Sequence, residues 1–245
     1  MASNWIYPDW PAPVRVKSLV TTRREGVSQG CYAGLNLGDH VADNSIDVAQ
    51  NRTLLREMLP SDPHWLKQVH GNAVVYADNL RGELVTADAA VARRTNVVSA
   101  VLTADCLPVL FCATDGSVVG VAHAGWRGLI AGVLEHTLSM LEHPPEQVMV
   151  WLGPAIGPDD YEVGSDFRQR FVTDYAPSAA AFKGKGVDKW SADLYMLAKQ
   201  RLQHAGVTKI YGGGLSTYAD KERFYSYRRD GVTGRMATLI WLGDN

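Results

Sequence analysis

A mixed α/β fold, with strands and helices interleaved outside any regular βαβ alternation, is predicted by three features of this 245-residue chain. Short β-branched apolar runs bounded by Gly or polar turns mark buried strands. Apolar residues at helical spacing, closed by Pro or Gly, mark amphipathic helices between them. The two kinds follow one another irregularly, which points to α+β or mixed-sheet α/β and away from a Rossmann arrangement.

Along the chain, a helix is expected over Asp47 to Leu59, stopped by Pro60. Val97 to Leu102, Leu107 to Phe111 and Val118 to Ala122 read as buried strands, with Asp115-Gly116 a hairpin turn between the last two. After Gly125 the period changes: Leu129, Ile130, Val133, Leu134, Leu138 and Leu141 recur at helical spacing until Pro144-Pro145. Val148 to Leu152 returns to strand and Gly153 to Pro158 breaks it. Helices are expected over Asp166 to Tyr175 and over Ser191 to Ala205, the second closed by Gly206. Ile210-Tyr211 and Met236 to Leu242 supply late strands. Phe182 to Lys189 is the nearest approach to a linker and is short, so residues 1–245 are taken as one domain.

Composition narrows the function. Lys+Arg 24 against Asp+Glu 26 leaves a formal net charge of −2, which argues against a dedicated nucleic-acid or anionic-membrane binder. Met1 to Val14 holds no apolar core of a targeting peptide, and no apolar stretch approaches the ~20 residues of a membrane span. Three cysteines make no disulfide framework, so the chain reads as reduced and cytoplasmic. Its oligomeric state is not legible.

Motifs narrow it further. P-loop, G-x-G-x-x-G, H-E-x-x-H, C-x-x-C and the zinc-deaminase pattern are all absent. Gly26-Val27-Ser28-Gln29-Gly30 formally fits a nucleophile elbow, but no helix start follows it, and a surface loop is the better reading. His70, Cys106 and His123 each end an apolar run or sit on a Gly-flanked turn, where a fold presents ligands on rigid supports. Two imidazoles and a thiolate suit Zn²⁺ with an open fourth position, and they are also the blue-copper trio. The alternative is three unrelated residues, each satisfied in the core. His123-Ala124-Gly125-Trp126-Arg127-Gly128 leads from a strand end into a helix, and Arg228, Arg229 and Arg235 lie among aromatics. Such arginines suit phosphate or a stacked base; the alternative is a solvated charged loop. Cys112 and Cys31 read as a buried apolar residue and a loop residue.

A set of longer motifs makes the chain recognisable. Thr21-Thr22-Arg23, Leu35-Asn36-Leu37-Gly38, Asn51-Arg52, Gln68-Val69-His70-Gly71, Thr103 to Pro108, His123 to Gly128, Leu152 to Gly157 and Ser226-Tyr227-Arg228-Arg229 closely resemble the YfiH family. That family is also called the laccase-domain or multicopper polyphenol oxidoreductase family, and includes the bacterial peptidoglycan editing factor. The resemblance implies an α/β/β/α sandwich similar to the catalytic domain of cytotoxic necrotising toxins. It implies that His70, Cys106 and His123 match zinc ligands, with copper the other metal. It further implies phosphorolysis of adenosine, inosine or methylthioadenosine, together with adenosine deamination. On this reading purine nucleosides and phosphate are the partners; Cys106, His123 and Asp105 are catalytic; and Arg23, Asn36, Arg127, Arg228 and Arg229 bind substrate. Asp105 orients a partner or moves a proton, or is a turn-forming carboxylate. The sequence departs from the family at Arg24-Glu25-Gly26, at Cys31 and at Ser216, where Gly-Gly, Pro and Cys are usual.

Three other functions are weighed beside this one. A laccase needs more histidine ligands than the seven here, which include no H-x-H pair, so copper at the trio gives at most slow phenol oxidation. A hydrolase of peptidoglycan precursors would use Cys106 as nucleophile and His123 as base, with no metal on the thiolate. A pure binding module has least use for an open three-ligand site.

Overall fold

The computed structural model describes residues 4–244; Met1 to Ser3 and Asn245 lie outside the described residues. Strand β1 (Val16–Val20) is followed by helix α1 (Ser45–Arg56), whose first turn is capped by the Asn44 side chain accepting from the Ile46 amide. Short strands β2 (Leu66–Lys67), β3 (Val74–Tyr76) and β4 (Val85–Thr86) lead to β5 (Ala89–Ala92). The expected central strands form as β6 (Ser99–Thr103), β7 (Leu107–Ala113) and β8 (Val119–Ala124), with the Asp115-Gly116 turn joining the last two. Helices α2 (Trp126–Ile130) and α3 (Val133–Leu141) follow, then β9 (Val148–Leu152), β10 (Glu162–Gly164) and α4 (Ser165–Asp174). The chain ends with β11 (Phe182–Gly186), β12 (Lys189–Ala192), α5 (Leu194–His204), β13 (Lys209–Gly212), α6 (Tyr227–Asp230) and β14 (Met236–Leu242).

Three expectations need correction. The apolar period from Leu129 to Leu141 is carried by two helices, because Gly132 turns left-handed at φ 84° and restarts the chain. Ser191 and Ala192 end a strand, and the α5 helix begins only after Asp193, whose carboxylate caps the Met196 amide. Phe182 to Lys189, to which the sequence assigned no element, pairs as the antiparallel hairpin of β11 and β12. The first helix also stops at Arg56, before Leu59.

The layers follow from which face of each strand is apolar. A six-stranded mixed sheet runs β13-β9-β7-β8-β5-β3, and a three-stranded antiparallel sheet runs β1-β14-β6. Alternation along β7 sends Leu107, Val109 and Phe111 to one side, where they pack with Leu134, Leu138, Leu197 and Leu202 of α3 and α5. Leu110 and Cys112 point the other way and meet Val20, Val101 and Ile240 of the smaller sheet. The far face of that sheet, through Leu19, Ala100 and Leu239, covers Leu55 of α1. The stack is therefore helix, sheet, sheet, helix, the α/β/β/α order expected. Two small sheets, β10-β12-β11 and β2-β4, lie outside these layers. No helix among the described residues is long and apolar enough to cross a membrane.

The break at Gly132 is a matter of backbone conformation, since a Cβ there would meet nothing closer than the Glu135 carboxylate at 3.6 Å. Gly132→Ala is expected to cost about 1–2 kcal/mol, the price of a left-handed L-residue. Urea unfolding should report that loss, with catalytic activity unchanged; a stabilised variant would mean that α2 and α3 can fuse.

Candidate metal centre and cavity

His70, Cys106 and His123 come from three separate segments and converge. His70 lies in the turn between β2 and β3, Cys106 just before β7, and His123 in β8 paired opposite Pro108 of β7. Their donor atoms all lie within 4.8 Å of one another, with Cys106 Sγ 3.8 Å from His70 Nε2. An ion with Zn–S near 2.3 Å and Zn–N near 2.0 Å at the tetrahedral angle would set sulfur and nitrogen about 3.5 Å apart, close to the observed spacing. Among the described residues this is the one group of three or more His, Cys, Asp or Glu side chains placed to share a metal.

The arrangement is held by a residue the sequence reading did not single out. Asp88, fully buried, accepts a 2.8 Å hydrogen bond from His123 Nδ1. Its two oxygens also accept the backbone amides of Val69, His70 and Gly71 at 3.1, 2.9 and 2.7 Å. One carboxylate thus fixes the His123 tautomer, leaving Nε2 for the trio, and folds the His70 turn around itself. His70 adopts φ 60° there, a left-handed conformation that the three amide bonds hold in place. Burial works against the charge on Asp88, but the His123 and amide hydrogen bonds outweigh it and hold the carboxyl below its ordinary value. A lone acid inside the apolar run Ala87 to Ala92 was the available signal.

Electrostatics favour the thiolate form of Cys106. Burial opposes ionisation of Cys106, but His123 and His70 overcome it and bring its pKa down to about 6. Burial likewise disfavours a charged His123, and the Cys106 thiolate with Asp88 raises its pKa in spite of that. Gly125 explains part of the His-Ala-Gly-Trp-Arg-Gly motif: a Cβ there would lie 3.0 Å from both Cys106 Sγ and the His70 ring. Gly128 plays the same part against the Gly71 carbonyl, 2.9 Å from where its Cβ would be.

Beside the trio opens a cavity of ≈ 240 Å³. His70, Cys106 and Asp105 form its floor, Trp126, Tyr161 and Tyr227 its aromatic walls, and Arg127 and Arg228 its cationic edge. Arg127 stacks on Trp126 with Cζ 4.4 Å from the ring centre, and its guanidinium has no hydrogen-bond or ion-pair partner among the described residues. Arg228 stacks on Tyr161 and donates to the Glu162 carbonyl.

Known proteins resemble this chain over nearly its whole length. The family described as multi-copper polyphenol oxidoreductase laccase matches residues 17–243. The chain belongs to this family. A purine nucleoside phosphorylase of Pseudomonas aeruginosa is 50% identical over 241 residues, covering 98% of this chain and 99% of its own. Purine nucleoside phosphorylase YfiH of Escherichia coli is 50% identical over 245 residues, again covering 98% and 99%. The crystal structure of Neisseria meningitidis protein NMB0706 superposes with a TM-score of 0.96 at 49% identity, over 99% of this chain and 100% of that one. YlmD of Geobacillus stearothermophilus gives 0.90 at 29% identity, over 100% and 98%.

For this member of the laccase family, the other expected site residues divide into two groups. Arg127, Arg228 and Asp105 reach the cavity. Arg23, Arg229 and Asn36 do not line it. Asn36 is fully buried, bonding Gly38, Asp43 and the Arg235 amide. Arg229 is committed to Asp230 and to the carbonyls of Thr217, Tyr218 and Phe224. Arg23 donates to Lys221 and Ala33 carbonyls and lines a separate groove with Arg229. Asp105 accepts from Thr217 Oγ1 at 2.6 Å, Ser226 Oγ at 3.0 Å and the Arg228 amide at 2.6 Å, at φ 87°. Three donors on its carboxylate tie the segment before β7 to α6 and to Thr217. Ser28 lies in a loop, bonded to Asp43 and Asn51, as no nucleophile elbow would be. Ser216 joins Asp160 to the Gly157 and Ala219 amides and stays out of the cavity lining.

Asp88→Asn leaves one face of the side chain offering N–H groups to N–H groups. The variant is expected to lose about 3 kcal/mol of stability and about 10–100-fold in metal affinity. Because the Asp88 pKa is depressed in the folded state, its stabilisation is complete above the unfolded value and is lost as pH falls through the folded one. The difference from wild type in denaturant titrations should therefore be full at pH 7 and narrow below about pH 4. A pH-independent difference would contradict the assignment.

Proposed function

We propose that the chain is a zinc-dependent purine nucleoside phosphorylase of the cytoplasm. It cleaves adenosine, inosine or methylthioadenosine with phosphate to the free base and ribose-1-phosphate or its methylthio analogue, and it also deaminates adenosine. The observation that carries this reading is one cavity that joins a three-ligand metal position, two arginines and three aromatic rings. The relatives named purine nucleoside phosphorylase, at 50% identity over nearly the whole chain, support it. Three unpaired cysteines suit a reducing compartment.

Each part has work to do. Phosphorolysis needs phosphate held near the ribose C1′ and a purine held edge-on to a donor. Arg127 and Arg228 offer the phosphate two forks of N–H donors, pre-set by stacking on Trp126 and Tyr161. The aromatic walls take the planar base. Asp105 holds the Arg228 backbone against the ligand loop, so the phosphate end and the metal end keep a fixed separation. His70, Cys106 and His123 would hold zinc, which supplies a Lewis acid beside the bound nucleoside. Copper is the second ion this donor set accepts; one three-ligand position falls short of the several coppers of a laccase, so phenol oxidation is at most a side activity.

A second reading has one observation in its favour. Asp88, His123 and Cys106 form a carboxylate–imidazole–thiol relay, the order used by cysteine hydrolases, and such chemistry suits peptidoglycan precursors. It requires the thiolate to be free of metal.

Metal analysis of purified protein, with product analysis of adenosine incubated with and without phosphate, tests both. About one zinc per chain, and adenine with ribose-1-phosphate only when phosphate is present, is the expected result. Metal-free protein inert to nucleosides but cleaving amide bonds would replace the phosphorylase with the hydrolase. Arg127→Ala and Arg228→Ala should each raise the phosphate KM about tenfold or more, with a smaller effect on the nucleoside KM. Equal effects on both would remove the arginines from the phosphate site.

A further inference from the structure

Cleaving a glycosidic bond to a purine leaves negative charge on the base, and a donor must meet it. The hydroxyls near the cavity differ in how far they are already engaged. Tyr195 Oη is taken up by the carbonyls of Gly153 and Leu215 and the Ala155 amide. Tyr225 Oη donates to the Tyr32 carbonyl. Tyr227 lines the cavity but is 61% exposed, at its outer rim. Tyr161 is half-buried, lines the cavity with Cys106, and its hydroxyl has no hydrogen-bond partner among the described residues. Its ring is held in place: Phe167 meets it edge-on at 5.7 Å, and the Arg228 guanidinium sits 5.0 Å from its centre.

We propose that Tyr161 is the proton donor to the departing purine, delivering the hydroxyl proton to N7 of the base. This rests on the phosphorylase reading. As a phosphate oxygen bonds to C1′, the C1′–N9 bond breaks and its electron pair enters the purine ring. The Tyr161 Oη proton passes to N7, and the remaining P–OH proton of the bound phosphate restores the phenol. An ordinary phenolate and a purine anion are bases of comparable strength; burial makes this phenol the weaker acid, and the phosphate proton that restores it drives the transfer to completion. Burial holds the phenol above its ordinary pKa, so it enters the reaction protonated. The Arg228 cation on the ring face offsets the charge that develops when the proton leaves.

The test is Tyr161→Phe, which keeps the ring and its packing, assayed on inosine and on 7-methylinosine with phosphate and the zinc-loaded protein. 7-Methylinosine already carries a positive charge at N7, so its base leaves without a donor. The variant should lose about 100-fold or more in kcat on inosine, with nucleoside KM little changed, and less than about threefold on 7-methylinosine. The second substrate also shows that the variant is folded. Equal losses on both nucleosides, or no loss on inosine, would overturn the assignment. A wild-type protein that phosphorolyses neither nucleoside overturns the phosphorylase reading and this inference with it.

Discussion

The carboxylate of Asp88 is the constraint on which the rest of the site depends. It is an ion with no exposure to water, and it persists because three amides and an imidazole surround it. Those four donors come from two different segments, the His70 turn and β8. Satisfying one buried charge therefore fixes the relative position of two metal-ligand candidates that are 53 residues apart in sequence. The third candidate, Cys106, is brought in by the β7–β8 pairing, whose register sets Pro108 against His123. Sheet pairing and charge satisfaction together define the triangle.

Around that triangle the layers do separate jobs. The six-stranded sheet carries the ends that project His123 and Cys106, and its two faces are both buried, one under α3 and α5 and one against the smaller sheet. A sheet covered on both faces has little freedom to flex, which suits ligands that must sit a few ångströms apart. The arginines lie at the edge of this support, on α2 and α6, where their charges remain hydrated until a ligand arrives.

Much of this was legible in the residues and some was not, for physical reasons. β7, β8, β9 and β14 announced themselves because strands buried on both faces are continuous apolar runs. The split of α2 from α3 was hidden because apolar period survives a left-handed glycine, and only backbone dihedrals distinguish a pause from a continuation. Ser191 and Ala192 read as helix because two residues carry no period of their own. In the site, His70, Cys106 and His123 stood out by residue type and flanking glycines, while Asp88 acts through contacts made across the fold. Arg127 and Arg229 look alike in sequence; one faces the cavity and the other is spent on the carbonyls of Thr217 and Tyr218 in the preceding loop.

The wall that carries Tyr161 belongs to a different unit from the floor. The Tyr161 carbonyl accepts the Ala192 amide, so this residue is positioned by the β10-β12-β11 sheet, which lies outside the four layers. None of the hydrogen bonds of Asp88 passes through that sheet. Arg228 bridges the two units: its side chain donates to the Glu162 carbonyl of β10 while its amide is held by Asp105 beside Cys106. Lengthening or rewriting the exposed tip of the β11–β12 hairpin, residues 183–188, can change the outer surface beside the cavity while the Asp88 bonds that join His70 and His123 stay as they are, so the scaffold has room to vary at its rim.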